Sequence, residues 1–522
     1  MKTKNIFLLF FLIQLNSNII GQITFQKSYG LNSIQSYAYS IKQTADSGYI
    51  CMGGTLNPTG QTNMDISLIK TNQFGDTIWT KLIGTTGTEY GNIIQITNDN
   101  GFIVDGWSRQ LGGNQEIYLI KMNNNGDTLW TRLFSTPLAD SWPYGIVQTN
   151  DSGFVILGVQ SLGGCDYNSY LFKIDQNGNF IWIKTYNYIV GTSLVKTKDN
   201  GFLFVGNAAG FSTNAYKGLF IVKTDFNGDT VWTKHYNKIN TSIIKPYSVQ
   251  QLSDDGYIVT GGIQDSTTQY YDQYLLKMNS IGQIDWIKQY DFGNFEISES
   301  VKQTTDGGFI FSGYIGDLSS SIRNSMIVKT NSTGIVLWSY KYGTTDNEYF
   351  HDILLTFENG YISCGETSND GFVVKMDSAG NSGCFQNAII PQIVIPTLFN
   401  LENTSIGSTT LIQKNTQTFE NVTYFYTNTF CTNNSIQELS VFDNVEIYPN
   451  PFSCFATIEF QNIENKSNYF KMYNSKGQLV KQINNITNGQ IKIDRVGLDN
   501  GIYFFQLLND NKIIKSGKLL IE

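Results

Sequence analysis

Tyr118-Leu119-Ile120-Lys121, a turn at Gly126, then Thr128-Leu129-Trp130-Thr131: the chain writes this pattern repeatedly, an apolar run ending in Lys, a turn glycine and a strand carrying Trp. Six tryptophans mark it, Trp79, Trp130, Trp182, Trp232, Trp286 and Trp338, separated by 51, 52, 50, 54 and 52 residues. A strand-rich unit of roughly 50 residues is the signature of a β-propeller blade. Each Trp then reads as a large residue packing between blades, and its loss to Ala is expected to cost about 3–5 kcal/mol.

Working outward, each unit holds two hairpins. The first turns are Asp46-Ser47-Gly48, Asp99-Asn100-Gly101, Asp151-Ser152-Gly153, Asp199-Asn200-Gly201, Asp254-Asp255-Gly256, Asp306-Gly307-Gly308 and Glu358-Asn359-Gly360. Such residues supply the positive φ angles of tight hairpins. The second turns carry Gly75, Gly126, Gly178, Gly228, Gly282, Gly334 and Gly380. Seven first hairpins stand against six Trp strands. The missing strand is expected at the N-terminus, where Phe25 lies five residues before Gly30 as Trp79 does before Gly84. The expected fold is all-β: a seven-bladed propeller closed by its N-terminal strand, which leaves no free sheet edge.

The second-hairpin pattern resembles the tryptophan-docking repeat of quinoprotein-like propellers over residues 23–385. That resemblance implies the fold alone. Enzymes of the group carry cofactor and calcium ligands and often an adjacent cysteine pair, which this sequence lacks. No cofactor and no metal are expected.

Residues 1–21 read as a signal peptide: Lys2 and Lys4 precede an apolar run from Ile6 to Ile13, and Gly21 offers a small residue before a cut. The run is too short for a membrane span, and no later segment is long enough. A net charge of −8 without a basic cluster argues against nucleic acid as a partner. The six cysteines form no Cys-x-x-Cys pair, so a zinc site is not expected. Cys51 and Cys364 read as buried apolar residues, and Cys384 with Cys431 is the preferred disulfide pair.

Residues 386–440 read as a connector with possible short strands. Residues 441–522 read as a small Ig-like β-sandwich. Its Tyr448-Pro449-Asn450-Pro451 start, Gly501-Ile502-Tyr503 strand and final strand with Lys518 stand in the order of the type A C-terminal sorting domain of Bacteroidetes type IX (Por) secretion, which it closely resembles. Pro449, Asn450, Pro451, Gly501, Tyr503 and Lys518 match the family pattern. The resemblance implies the type IX machinery and a sorting protease as partners, with release or attachment at the outer cell surface.

Chemistry is sparse. The two histidines, His235 and His351, lack a triad or metal signature and read as surface or blade-edge residues. Asp225-Phe226-Asn227-Gly228-Asp229 reads as a β-turn rather than a calcium loop. Asp-Thr-apolar triplets such as Asp127-Thr128-Leu129 resemble bacterial O-glycosylation sites, but they also sit where the repeat needs a turn and a strand start. Ligand contacts are sought where the repeats differ, at Asp105, Trp107, Tyr314 and Glu366. The expected role is a non-enzymatic module for glycan or protein. The alternatives are a propeller-fold polysaccharide hydrolase or lyase, and a structural envelope protein.

Overall fold

A computed structural model describes residues 22–30, 34–56, 63–110, 113–136, 139–161, 167–208, 218–238, 243–264, 270–316, 322–343, 346–383, 386–396, 398–401, 406–407, 412–414, 419–421, 426–434, 445–460, 468–474, 478–487, 489–509 and 512–521. The expected signal peptide, Cys165 and Cys384 fall outside them, so the Cys384–Cys431 pairing does too. One compact unit spans Gln22–Asn434 and a second contains Ser435–Glu522. All named elements are strands, and among the described residues no helix is long and apolar enough to cross a membrane.

The larger unit is a propeller-like array of seven five-stranded antiparallel sheets. The first four strands of each follow the sequence repeat. The first sheet uses Ser40–Gln43, Tyr49–Leu56, Met64–Thr71 and Thr77–Gly84. The second begins at Thr88–Ile96, the third at Ser141–Gln148, the fourth at Ile189–Lys196, the fifth at Ile244–Gln251 and the sixth at Phe295–Gln303. The seventh has Tyr349–Leu355, Tyr361–Glu366, Gly371–Met376 and then the N-terminal strand Ile23–Gly30. First strands of successive sheets lie against one another, and the first sheet's touches the seventh's.

The fifth strands come from the segment expected as a connector. Gln386–Ala388 pairs with the sixth sheet and Gln392–Val394 with the fifth. Leu398–Leu401, Ile406–Gly407, Ile412–Lys414 and Phe419–Asn421 follow on the fourth, third, second and first, and Tyr426–Asn434 pairs with Ile23–Gly30. The segment thus visits every sheet in reverse order. It covers seven outer edges that would otherwise present unpaired backbone groups.

One lattice of side chains repeats through the array. In six sheets the strand Lys lies opposite the Trp, as in Lys121↔Trp130 and Lys223↔Trp232. In the seventh, Lys375 lies opposite Phe25. The same Lys ion-pairs with the acidic residue of the first turn, at 2.8 Å for Lys70–Asp46 and Lys329–Asp306 and 3.6 Å for Lys375–Glu358. Each Trp then presses on the second-turn glycine of the next sheet. A Cβ added to Gly126 (φ 79°) would stand 2.7 Å from Trp79, and one on Gly75 (φ 75°) 2.7 Å from Phe25. Both the φ angle and the space demand glycine. Phe25 of the seventh sheet therefore docks on the first sheet as the tryptophans dock on theirs.

The smaller unit packs a three-stranded sheet and a four-stranded sheet around one apolar core that includes Ile458, Phe470, Phe505 and Leu519.

Candidate functional site

A β-bulge sets the site. In the first strands of sheets two to seven the pairing register slips at one residue: Asn92, Tyr144, Thr192, Tyr247, Glu299 and His351. A bulge leaves its extra residue unpaired and re-aims its side chain. Each stands five residues before the residue opening the first turn (Thr97, Thr149, Thr197, Leu252, Thr304 and Thr356). Tyr39 stands five before Thr44 in the first sheet. Two residues earlier in each unit come Tyr37, Tyr90, Trp142, Val190, Lys245, Ile297 and Tyr349. These two tiers are rich in aromatics and differ from sheet to sheet.

Their charged centre is His351. Its Nδ1 lies 2.6 Å from Glu299 Oε2, and its Nε2 lies 3.9 Å from Glu366 Oε1. The first is a hydrogen bond and the second an ion-pair distance. Burial pushes the imidazole down, but Glu299 and then Glu366 outweigh it and raise His351 to about 10. It is a cation bridging two carboxylates. The Tyr39 ring sits 5.0 Å from His351, Tyr37 stacks on Tyr39 at 5.8 Å, and Tyr349 lies parallel to His351 at 6.4 Å. Below, Asp352 joins three sheets: Lys42 Nζ approaches Oδ2 at 3.0 Å, while Ser300 donates to Oδ1 at 3.0 Å. Burial raises that carboxyl, yet Lys42 and Lys302 bring it down to about 2.

Three of the four residues chosen from the sequence border this cluster. Glu366 is part of it. Tyr314 stands edge-on to Tyr349 at 5.0 Å, with the exposed Arg323 guanidinium 5.5 Å from both rings. Trp107 stacks on Tyr90 at 4.5 Å. Burial, then Glu366 and Tyr90, push the Tyr37 phenol up to about 12. Asp105 is different. It is fully buried, and its Oδ1 accepts from Ile93 N–H at 2.9 Å. Burial raises it to about 8. It is a packed interior carboxyl, not part of an open face.

The expectation of surface or blade-edge histidines is corrected for His235, which is buried, stacks on Phe220 at 3.9 Å and is lowered by burial to about 4; His351 is half-buried on the edge strand of the seventh sheet, where it meets Glu299. Sequence reasoning missed Glu299, Tyr37, Tyr39 and Tyr247 because it compared second strands. The signal was available in the first strands, five and seven residues ahead of the turn. Other readings are resolved locally. Asp225 Oδ1 accepts from the Asn227 and Asp229 amides at 2.9 Å each, so that stretch folds as a turn. The Thr128 and Thr230 hydroxyl oxygens are buried, which removes both as modification sites in the folded protein. Cys51 and Cys364 are buried free thiols, and Cys454 is an exposed one.

In the smaller unit the family residues hold the last strand. Asn450 donates from Nδ2 to Lys518 O at 3.0 Å and accepts at Oδ1 from Leu520 N–H at 2.8 Å. Pro449 and Pro451 flank it, each after a cis peptide bond. Tyr503 is buried and donates its hydroxyl to Asp499 O at 3.0 Å, Gly501 opens its strand at φ 150°, and Lys518 is exposed.

Residues 446–522 match the family described as a secretion system C-terminal sorting domain. The chain carries a type IX sorting domain, which implies export by that machinery to the cell surface or beyond. Comparison with curated proteins gives no match. Similar solved structures include PorZ, a surface component of the type IX secretion system of Porphyromonas gingivalis (10% identity, 93% of this chain and 81% of that chain, TM-score 0.30). A protein of unknown function from Dyadobacter fermentans is similar at 12% identity, 68% and 100% coverage and TM-score 0.37. The Hadza microbial sialidase Hz136 is similar at 10% identity, 68% and 93% coverage and TM-score 0.36.

Proposed function

We propose that residues 22–434 close into a seven-bladed β-propeller whose axial mouth binds a glycan, and that the sorting domain delivers it to the outer surface or the medium. Closure is supported by Phe25 on Gly75 and by the antiparallel pairing of the N-terminal strand in the seventh sheet. The observation carrying the binding role is the bulge tier: where the scaffold repeats, these positions instead hold tyrosines, an amide, a hydroxyl, Glu299 and His351. Aromatic faces suit the apolar face of a sugar ring, and carboxylates and amides suit its hydroxyls.

The hydrolase or lyase reading needs a carboxylic acid facing the ligand and poised to give up a proton. Glu299 is instead hydrogen-bonded to His351, and Glu366 faces the other nitrogen of the same ring at 3.9 Å. Asp105, with its raised value, is sealed in the interior. A purified mature chain screened on a glycan array should show selective binding that Trp107→Ala abolishes without product formation. Turnover of a bound glycan would transfer the case to the enzyme, and absence of any binding would leave the structural role.

A further inference from the structure

The junction of the fifth and sixth sheets holds a second cluster unrelated to the mouth. Asp272 lies on Tyr271–Met278, Asp291 ends Ile284–Asp291, and Glu296 lies on Phe295–Gln303. One carboxylate oxygen from each falls within 4.8 Å of the other two. Asp272 is 5% exposed and Glu296 0%. Gln289, on the same strand face as Asp291, donates from Nε2 to Asp272 Oδ2.

Two buried oxygens here lack hydrogen-bond partners among the described residues, Glu296 Oε2 and Gln289 Oε1. At the equivalent junction of the first and second sheets the corresponding Glu is hydrogen-bonded through both of its oxygens. Glu89 there stands in the place of Glu296 and accepts from Thr85 N–H at 2.9 Å and from the Ser108 hydroxyl at 2.6 Å. Asp65 takes the place of Asp272, but the third position is Gly84. Five residues past the docking aromatic, the other sheets carry Gly30, Gly84, Ser135, Asn187, Asn237 and Gly343, and only the fifth carries an acid, Asp291. One junction has thus gained a carboxylate, and its buried Glu296 accepts from the Asn294 N–H at 3.0 Å through Oε1 but has no hydrogen-bond donor at Oε2 among the described residues. Orphaned buried oxygens call for a partner.

We propose that Asp272, Asp291 and Glu296, with Gln289 Oε1, bind one calcium ion. The donors are all hard oxygens, three of them carboxylates, with no thiolate or imidazole, as calcium prefers over zinc.

The test is calcium titration of the chelator-treated, full mature chain by calorimetry, with thermal melts alongside. The expected result is one calcium per chain, a higher melting temperature, and at least tenfold weaker binding in Glu296→Gln and in Asp291→Gly. Asp291→Gly restores a residue that the first and sixth sheets use, so it decides the matter if Glu296→Gln does not fold. Asp65→Asn, at the equivalent junction, should leave calcium binding unchanged. No heat and no thermal shift at millimolar calcium would overturn the proposal. So would binding indifferent to Asp291→Gly.

Discussion

The flanks of the sheets and their first strands obey opposite rules. On the flanks seven copies use one solution: Lys opposite an aromatic, an acid under the Lys, a glycine under the next aromatic. At the bulge tier the seven copies hold Tyr39, Asn92, Tyr144, Thr192, Tyr247, Glu299 and His351, five different residue types. Repetition marks what the fold needs at every junction. Divergence at one register position, beside invariant packing, marks what the fold does not need and a ligand can use.

The largest effect should come from breaking the repeated half. Trp232 presses on Gly282 within a core that includes Val259 and Leu276. Trp232→Ala should lower unfolding free energy by about 3–5 kcal/mol in denaturant titration, and Phe25→Ala should cost a similar amount because it does the same work. A far smaller loss at Phe25 would mean the N-terminal strand is not a true copy of the Trp strands.

Below the diverging half, Asp105 offers a pH test. Its folded value of about 8 lies above the ordinary carboxylate range. The unfolded chain ionises first, so this group withdraws stability as pH rises from about 4 to about 8 and changes nothing further above. Asp105→Asn keeps an acceptor for Ile93 N–H. Its stability advantage over the wild type should grow across that window, as read by melts at pH 5, 7 and 9. A constant difference would contradict the burial argument.

His351 works in the other direction. Its folded value of about 10 exceeds the unfolded one near 6.5. Its contribution is complete below about pH 6.5 and disappears as pH rises through about 10. Glu299→Gln should flatten that alkaline slope and shift the imidazole titration seen by NMR to lower pH.

The smallest effect belongs to the exposed pairs of the repeated half. Lys184–Asp229, 2.6 Å apart, has side chains 34% and 60% exposed. Asp229→Asn should cost about 0.2–1 kcal/mol and leave ligand binding unchanged.

Much of the array was readable because its code is local. Trp spacing, turn glycines and the Phe25–Gly30 interval each need only a few consecutive residues. Short strands were expected in residues 386–440, but their pairing with the seven sheets was not readable, since runs as short as Gln386–Ala388 pair through backbone and need no side-chain pattern. The side-chain cluster around His351 was half readable. Trp107, Tyr314 and Glu366 border it, but Asp105 is interior: its β-strand position lies opposite Ile93 at the bulge, where the backbone amide claims it. Glu299 and His351 stand 52 residues apart and become partners only when the sixth and seventh sheets meet.

The central claim is that the diverging tier binds a glycan, and the direct test is calorimetric titration of the best array hit into wild type, Trp107→Ala and Asp229→Asn proteins. The account predicts at least tenfold weaker affinity, about 1.4 kcal/mol, for Trp107→Ala with an unchanged melting temperature, and wild-type affinity for Asp229→Asn. Equal affinity in all three would contradict it.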